Sequence, residues 1–564
     1  MITNLTLRFG RSAGAPPATI APGHMTVFVG PNNSGKTLAL REIDSSLSDI
    51  RWSHQHAGFI PPDQRKNVAQ VDTPKPTASE IERLLTTGSG SIWNFFSGQQ
   101  MQMPGPPADV LRMITQENRA DLRDAVAAIY TRTKICMLDG IGRLNLATVR
   151  QAASLNGPPN SHLQALFVDD VRRNRLKQAV KDAFGFYVLI DPTTPGQFKF
   201  CLAEELPSHP DIERSLTKEA LDYFSKTIPM EMASDGVKAY SGIIAAVLSA
   251  DFRLLLIDEP EAFLHPPLAR KLGLFLTRIT GERAATVFAS THSSDFVVGC
   301  VQAGTPVDVV RLTYERNVAT ARVLPGNRLT ELMRDPLLRS AGVLSSLFYR
   351  GAVVCEADTD RAFYGEINDR LLRFSKGGAD DTLFLNAQNW QTCSNIIRPL
   401  REMGIPAAAA VDLDVLLSDD LSKLLTAAFV PPITAAGWTQ TRARIKAAFE
   451  KQLKPGEGPK ELARLVKIHG VEGLVGGDRD AVEQFVNDLS SYGLFLVPAG
   501  EVERWLPELQ IQGHGSRWLV PVFERMGGDP QDPRYIHPGD GDVWGFVARI
   551  AAWIADPHRK GVPA

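Results

Sequence analysis

Short, nearly unbroken apolar runs recur along the chain, and several stop at an acidic residue. Residues 25–30 (MTVFVG) end in a glycine loop, and from about Thr37 the apolar positions take a helical spacing. Residues 252–257 (FRLLLI) stop at Asp258, the runs at 352–355 and 407–411 likewise end at a carboxylate, and 285–289 and 494–497 are two more continuous runs. Runs this short and continuous suit strands buried on both faces of a sheet. Segments 120–129 and 171–184 carry the helical period instead. Pro/Gly clusters at 61–62, 104–107 and 192–196 punctuate the chain, and 525–542, rich in Gly, Pro and Asp, reads as a long loop. The opening residues MITNLTLRFG read as a strand, not as a cationic-then-apolar leader. Strands alternating with helices predict an α/β architecture.

At about 150 residues per domain, 564 residues predict three to four domains. With 44% apolar and 22% charged residues the composition is that of a globular protein, which excludes wholesale disorder and fibrous rods. The formal net charge of −2 removes any global basic field, so a nucleic-acid site has to be a local patch. No apolar run approaches the ~18 residues of a membrane span. The five cysteines are scattered without a CxxC pair, which excludes a disulfide scaffold and a thiolate zinc site. The expectation is a soluble, cytoplasmic protein without a membrane partner.

Residues 30–37, GPNNSGKT, fit G-x-x-x-x-G-K-[ST] between a strand and a helix. Gly30 and Gly35 let backbone N–H groups, with Asn33 and Ser34, turn toward phosphate oxygens, and the helix N-terminus adds positive potential. Lys36 is placed for the outer phosphates of ATP and the Thr37 hydroxyl for Mg²⁺. In LLLIDEPE, Asp258 suits a Mg²⁺ contact and Glu259 polarisation of the attacking water. His292 ends the next strand, within reach of a γ-phosphate.

Together Gly30 to Thr37, Asp258-Glu259-Pro260-Glu261 and Ser290-Thr291-His292-Ser293 resemble an ABC-type ATPase head of the SMC and RecF kind. The place of that family's signature loop is taken by Ser234-Asp235-Gly236-Val237-Lys238, where Asp235 replaces a glycine. The resemblance implies that Ser234 and Gly236 contact the γ-phosphate held by a second subunit. Two heads would then sandwich two ATP molecules, with Leu264-His265-Pro266 crossing the interface.

A second constellation is acidic. Glu356 ends one apolar run, Asp360 follows four residues later, and Asp412 and Asp414 end another run as a D-x-D pair. Acids at strand C-termini of a parallel sheet converge where ligands bind. Paired carboxylates offer the hard oxygen donors that Mg²⁺ or Mn²⁺ prefers. The bland alternative for any one of them is a solvated cap or turn residue.

The pattern Glu356…Asp360…Asp412-x-Asp414 resembles the TOPRIM fold of topoisomerases, primases and OLD-family nucleases, with Ala357 in place of the usual glycine. Residues 498–506 (PAGEVERWL) are similar to the late acidic element of the OLD version, which implies Glu503 as a metal ligand, with Glu501 the runner-up. OLD-type sites also use a later lysine. Here none lies between Lys467 and Lys560, so Arg504, Arg517 and Arg525 stand as substitutes.

An ABC head with a helical insertion followed by a TOPRIM is the order found in OLD-family ATP-dependent endonucleases, which include the Gabija nuclease subunit and retron-associated nucleases of anti-phage defence. The resemblance divides the chain into head halves at 1–64 and 201–335, a helical insertion and candidate dimerisation region at 65–200, a TOPRIM nuclease domain at 345–510 and an extension of open role at 511–564. It implies double-stranded DNA, a homodimer or higher homo-oligomer through the heads, and a helicase-like or other partner. Arg442, Lys446 and Lys454 recur at helical spacing and could hold DNA phosphates, as could Arg172, Arg173, Arg175 and Lys177. The competing expectation is a RecF-like repair or DNA-sensing ATPase with a non-catalytic TOPRIM. Topoisomerase or primase activity ranks last.

Overall fold

The computed structural model describes all residues except 1, 49–68, 73–75, 88–90, 94–99, 103–104, 141, 158, 316, 325, 337–341 and 564. The boundary expected at residue 64, the Pro61-Pro62 turn and Pro104 lie outside the described residues. The chain forms two compact units, Met1–Val29 with Asn33–Glu331, and Leu332–Ala564 with Gly30–Asn32 grouped to it.

The first unit is built on a six-stranded mixed sheet. Its strands are β1 (Met25–Val29), β2 (Ile135–Leu138), β3 (Leu254–Asp258), β4 (Thr286–Ser290), β5 (Val307–Glu315) and β6 (Val318–Leu324). Their order is β6-β5-β1-β4-β3-β2, parallel except for the β5–β6 hairpin. β1 and β3 are buried along their whole length, as their unbroken apolar runs require. Helix α1 (Lys36–Ser48) buries Ala39, Leu40, Ile43 and Leu47, one stripe at helical spacing, in a core with Phe28, Leu256 and Phe288. Two further helices, α2 (Asp235–Ser249) and α3 (Pro266–Glu282), flank β3 in sequence.

The region 65–200 departs from the helical reading. It contains helices such as Ala120–Thr133 and Asp170–Phe184. It also supplies β2 to the central sheet, paired in parallel with β3, and a strand Ala69–Asp72 paired antiparallel with Asn4–Leu7. The segment ICML at β2 has four residues, too few for periodicity to separate strand from helix.

The second unit is a four-stranded parallel sheet. In chain order its elements include β7 (Gly351–Cys355), α4 (Asp358–Arg373), β8 (Thr382–Asn386), α5 (Trp390–Glu402), β9 (Ala407–Val411), α6 (Pro459–His469), β10 (Leu494–Leu496), α7 (Ser516–Met526) and α8 (Asp542–Ala555), with three further α-helices between β9 and β10. The strand order is β8-β7-β9-β10. The chain leaves β7 toward β8 on one side and places β9 on the other, so the order reverses between β7 and β9. That is where open α/β sheets form a ligand crevice. Residues 511–564 are no appendage: Trp518, Trp544 and Phe546 share one core with Val353, Phe363 and Tyr364. Gly351 accommodates α8, because a Cβ there would lie 2.5 Å from Ile554 Cγ2. Arg525, read as part of the long loop, lies in α7. All five cysteines are free and buried. Among the described residues no helix is long and apolar enough to cross a membrane.

Candidate functional sites

The phosphate loop follows β1. Gly30, Asn33 and Gly35 have φ of 139°, 59° and 93°, the left-handed region that glycine and asparagine tolerate. Lys36 then opens α1 with its side chain turned back, Nζ 3.3 Å from Ser34 Oγ. Burial pulls the Lys36 ammonium down to about 8, against the charges of Glu259, Asp258 and Glu261. Thr37 Oγ1 donates to Asp258 Oδ1 at 2.9 Å, and Ser290 Oγ donates to the same oxygen. The loop and the end of β3 therefore meet, as the motif spacing implied, although 221 residues separate Thr37 from Asp258.

Glu259 has φ 48°, an unfavourable region for a residue with a Cβ. Its N–H donates to Ser290 O at 2.9 Å, which helps fix the turn. Its Oε1 lies 3.6 Å from His292 Nε2. Burial, then the Lys36 charge, lowers the His292 pKa and favours a neutral imidazole. The His292 N–H donates to Glu261 Oε1 at 2.7 Å. The loop thus brings Lys36, Thr37, Asp258, Glu259 and His292 together. Ser234 and Gly236 sit at the start of α2. A Cβ at Gly236 would lie 2.8 Å from Phe263 O, so this turn packs against the segment leading into Leu264-His265-Pro266.

Sequence reasoning missed Arg143. It is fully buried, and its Nη2 donates to the Asp258 carbonyl oxygen. Its Nε and Nη1 have no partner among the described residues. A lone arginine within 65–200 gives no signal in the sequence.

The acidic constellation lies at the reversal point of the second sheet. Glu356 follows β7 and Asp412 follows β9, and the Asp412 N–H donates to Glu356 Oε2 at 3.4 Å. Asp360, in the first turn of α4, accepts from the Ala357 N–H at 3.2 Å. Ala357 has φ −129°, so the position does not need glycine's freedom. Burial, then the Asp412 charge, pushes Asp360 up to about 7. Burial also raises Glu356, with Asp412 next, and it raises Asp412 against the pull of Lys467. Asp414 Oδ1 is buried without a partner among the described residues. Glu503 enters the same field: it is among the charges that raise Asp360 and Asp412.

Lys467, at the end of α6, is the cation of this centre. Its Nζ lies 2.7 Å from Asp412 Oδ2 and 3.8 Å from Asp414 Oδ2. Burial works to lower it, but Asp412, Asp414 and Glu356 outweigh burial and hold it above its ordinary value. It precedes the late acidic element, where no lysine was sought. Two of the three expected substitutes are engaged elsewhere: Arg504 faces Glu501 at 3.6 Å and Arg525 donates to Leu509 O.

The residues fit a divalent cation. Glu356, Asp360, Asp412 and Asp414 are hard oxygen donors, mostly withdrawn from water, with excess negative charge and an orphaned oxygen. Thr37 and Asp258 offer the corresponding oxygens beside the phosphate loop.

The candidate cationic face is only partly free. Arg442 is held by Asp419 and by Leu416 O. Lys446 lines a cavity of about 530 Å³ that also borders Asp414 and Trp390. The Lys454 backbone N–H donates to Glu457 Oε2 at 2.8 Å. The second cluster is spent in ion pairs: Arg173 and Lys177 on Glu213, Arg172 on Asp251, and Arg175 on Glu282.

A family model described as "AAA domain, putative AbiEii toxin, Type IV TA system" matches residues 162–298, the stretch holding Asp258, Glu259 and His292. No curated protein matches the chain. Among solved structures, it is similar to an SMC head bound to the C-winged helix domain of ScpA, at 13% identity over 59% of this chain and 99% of that one, with a TM-score of 0.33. It is also similar to the SMC head domain from Thermotoga maritima, at 12% identity over 57% and 98%, TM-score 0.27. The cbiO1 component of the ABC transporter complex cbiONQ from Clostridium perfringens gives 12% identity over 61% and 95%, TM-score 0.27. The family match and the geometry at Lys36 support an ATP-binding ATPase head.

Proposed function

We propose that the chain is an ATP-binding, divalent-metal-dependent DNA endonuclease of the OLD type, acting in anti-phage defence. In this reading an ABC-type head gates a TOPRIM nuclease centre. The observation that carries it is the meeting of Glu356 and Asp412 at the reversal point of a parallel sheet, with Lys467 on Asp412. Ligand crevices form at such points.

In the head, Lys36 regains full charge against a triphosphate, which offsets its burial. Glu259 orients and polarises the attacking water, and neutral His292 lies beside it. Mg²⁺ held by Thr37 and Asp258 would complete the nucleotide site. Ser234 and Gly236 reach the nucleotide of a second copy, so ATP favours a closed homodimer.

In the nuclease centre, Glu356, Asp360, Asp412, Asp414 and Glu503 would hold the metal, Mg²⁺ or Mn²⁺. Bound there, divalent cations activate water and stabilise the leaving oxygen of a phosphodiester. Lys467 fixes the orientation of Asp412 and presents positive charge where phosphate charge develops. Lys446, beside Asp414, can steer the DNA backbone toward the centre. A helicase-like partner belongs to the same reading.

Incubating pure protein with plasmid and Mg²⁺ or Mn²⁺, with and without ATP, tests this. Nicked or linear plasmid is expected, lost with EDTA and with Glu356→Gln. Intact plasmid in every lane, with ATP still turned over, would favour the DNA-sensing ATPase.

A further inference from the structure

The Asp258 carbonyl and the Glu259 N–H belong to one planar peptide, and that peptide is gripped at both edges. On one edge the Glu259 N–H donates to Ser290 O at 2.9 Å. On the other, Arg143 Nη2 donates to Asp258 O. The Glu259 side chain leaves the backbone immediately after this plane, at φ 48°. A plane held on one edge only can rotate and let Glu259 relax toward negative φ, which carries its carboxylate elsewhere.

Arg143 is itself firmly held. It opens the turn Leu144–Ala147, and His162 Nε2 donates to Leu146 O at 2.6 Å. The turn seats on α2 at Gly242, where a Cβ would lie 2.8 Å from Leu146 Cβ and 3.3 Å from Arg143 O. The charges around the guanidinium are those of Glu261, Asp258, Glu259 and Asp139. A fully buried guanidinium with two nitrogens unpartnered among the described residues is costly to keep. Its one bond goes to the peptide ahead of Glu259.

We propose that Arg143 is a positioning residue for ATP hydrolysis: by holding the Asp258 carbonyl it fixes the peptide plane from which Glu259 is aimed at the attacking water. It touches no reacting atom and acts through Glu259. The proposal rests on the ATPase reading of the head and adds to it a residue outside the phosphate loop and the Asp258-Glu259 motif. Its signature is a loss in the hydrolytic step without a loss of nucleotide affinity, because the Lys36 loop is left untouched.

The test uses the full chain and two readouts, the affinity for a fluorescent ATP analogue and the single-turnover rate of ATP hydrolysis with Mg²⁺. Arg143→Met is expected to lower the rate about 10–10²-fold and to change the affinity less than about threefold. Arg143→Lys, which keeps a charge and a donor, should recover part of the rate. Circular dichroism reports folding of each variant. The decisive comparison is made in Glu259→Gln, where adding Arg143→Met should slow the residual hydrolysis by less than about twofold, since residues that act as a unit are not additive. A second loss as large as the first, or an affinity that falls as far as the rate, would overturn the role of Arg143 and leave the ATPase reading standing. No hydrolysis by the wild type would overturn the ATPase reading and this role together.

Discussion

Single residues carry the chemistry, and their environments are unequal. Lys36 and Glu259 were legible because each lies within a contiguous motif whose spacing the backbone enforces. Lys467 and Arg143 were not. Each is an isolated polar residue delivered from a distant segment, and no period or spacing marks it. Lys467 leads to a direct expectation. Lys467→Ala leaves Asp412 without its counter-charge and should lower plasmid cleavage about 10²-fold or more, while Lys467→Arg recovers part of it. Equal rates for the wild type and Lys467→Ala would refute the role. The acids give a pH dependence. Asp360 is pushed up to about 7, and Glu356 and Asp412 are also raised. Raised carboxyls favour the fold when protonated, so their contribution is present below about pH 4 and is lost as pH rises toward about 7. In EDTA the midpoint of thermal unfolding should therefore fall across that window. Asp360→Asn should flatten the fall, and Mn²⁺ should reverse it. A midpoint that rises steadily over the same window in EDTA would contradict the raised values.

At the scale of elements, the continuous apolar runs were readable, and β1, β3, β4, β7, β9 and β10 all form where those runs lie, three of them (β3, β7, β9) running into an acid. β2 was not readable, because ICML has no flanking signal and owes its place to its partner β3. The helices after residue 511 were visible only as tryptophans without a motif. Their role follows from the packing of Trp518 and Trp544 in the core of the second unit. A pair of glycine substitutions checks that packing. Gly351→Ala pushes a methyl into Ile554 on α8 and should cost about 1–3 kcal/mol. Gly437→Ala, in the helix Pro432–Glu450 with open space around it, should stabilise by about 0.5–1 kcal/mol. Unfolding in urea measures both. A neutral Gly351→Ala would mean that α8 does not seat on β7 as described.

At the scale of the whole molecule, the proposal couples a nucleotide-binding head to a metal centre carried on the same chain. The order of the two motif sets along the sequence suggested this; Lys36, Thr37, Asp258, Glu259 and His292 lie in the first unit and Glu356, Asp360, Asp412, Asp414 and Lys467 in the second. The head predicts association: Glu259→Gln should bind ATP, hydrolyse it slowly and accumulate as a dimer, seen as a doubled mass by light scattering. A mass that ignores ATP would exclude nucleotide-driven pairing of heads. The metal centre predicts cleavage, and Asp412 is its most connected acid, touching Glu356 through its amide and Lys467 through its carboxylate. The most direct measurement is therefore plasmid cleavage by purified Asp412→Ala beside the wild type, with Mn²⁺ and with folding checked by circular dichroism. The account predicts cutting by the wild type and a loss on the order of 10²–10⁴-fold in the variant. Full cutting by folded Asp412→Ala would contradict it.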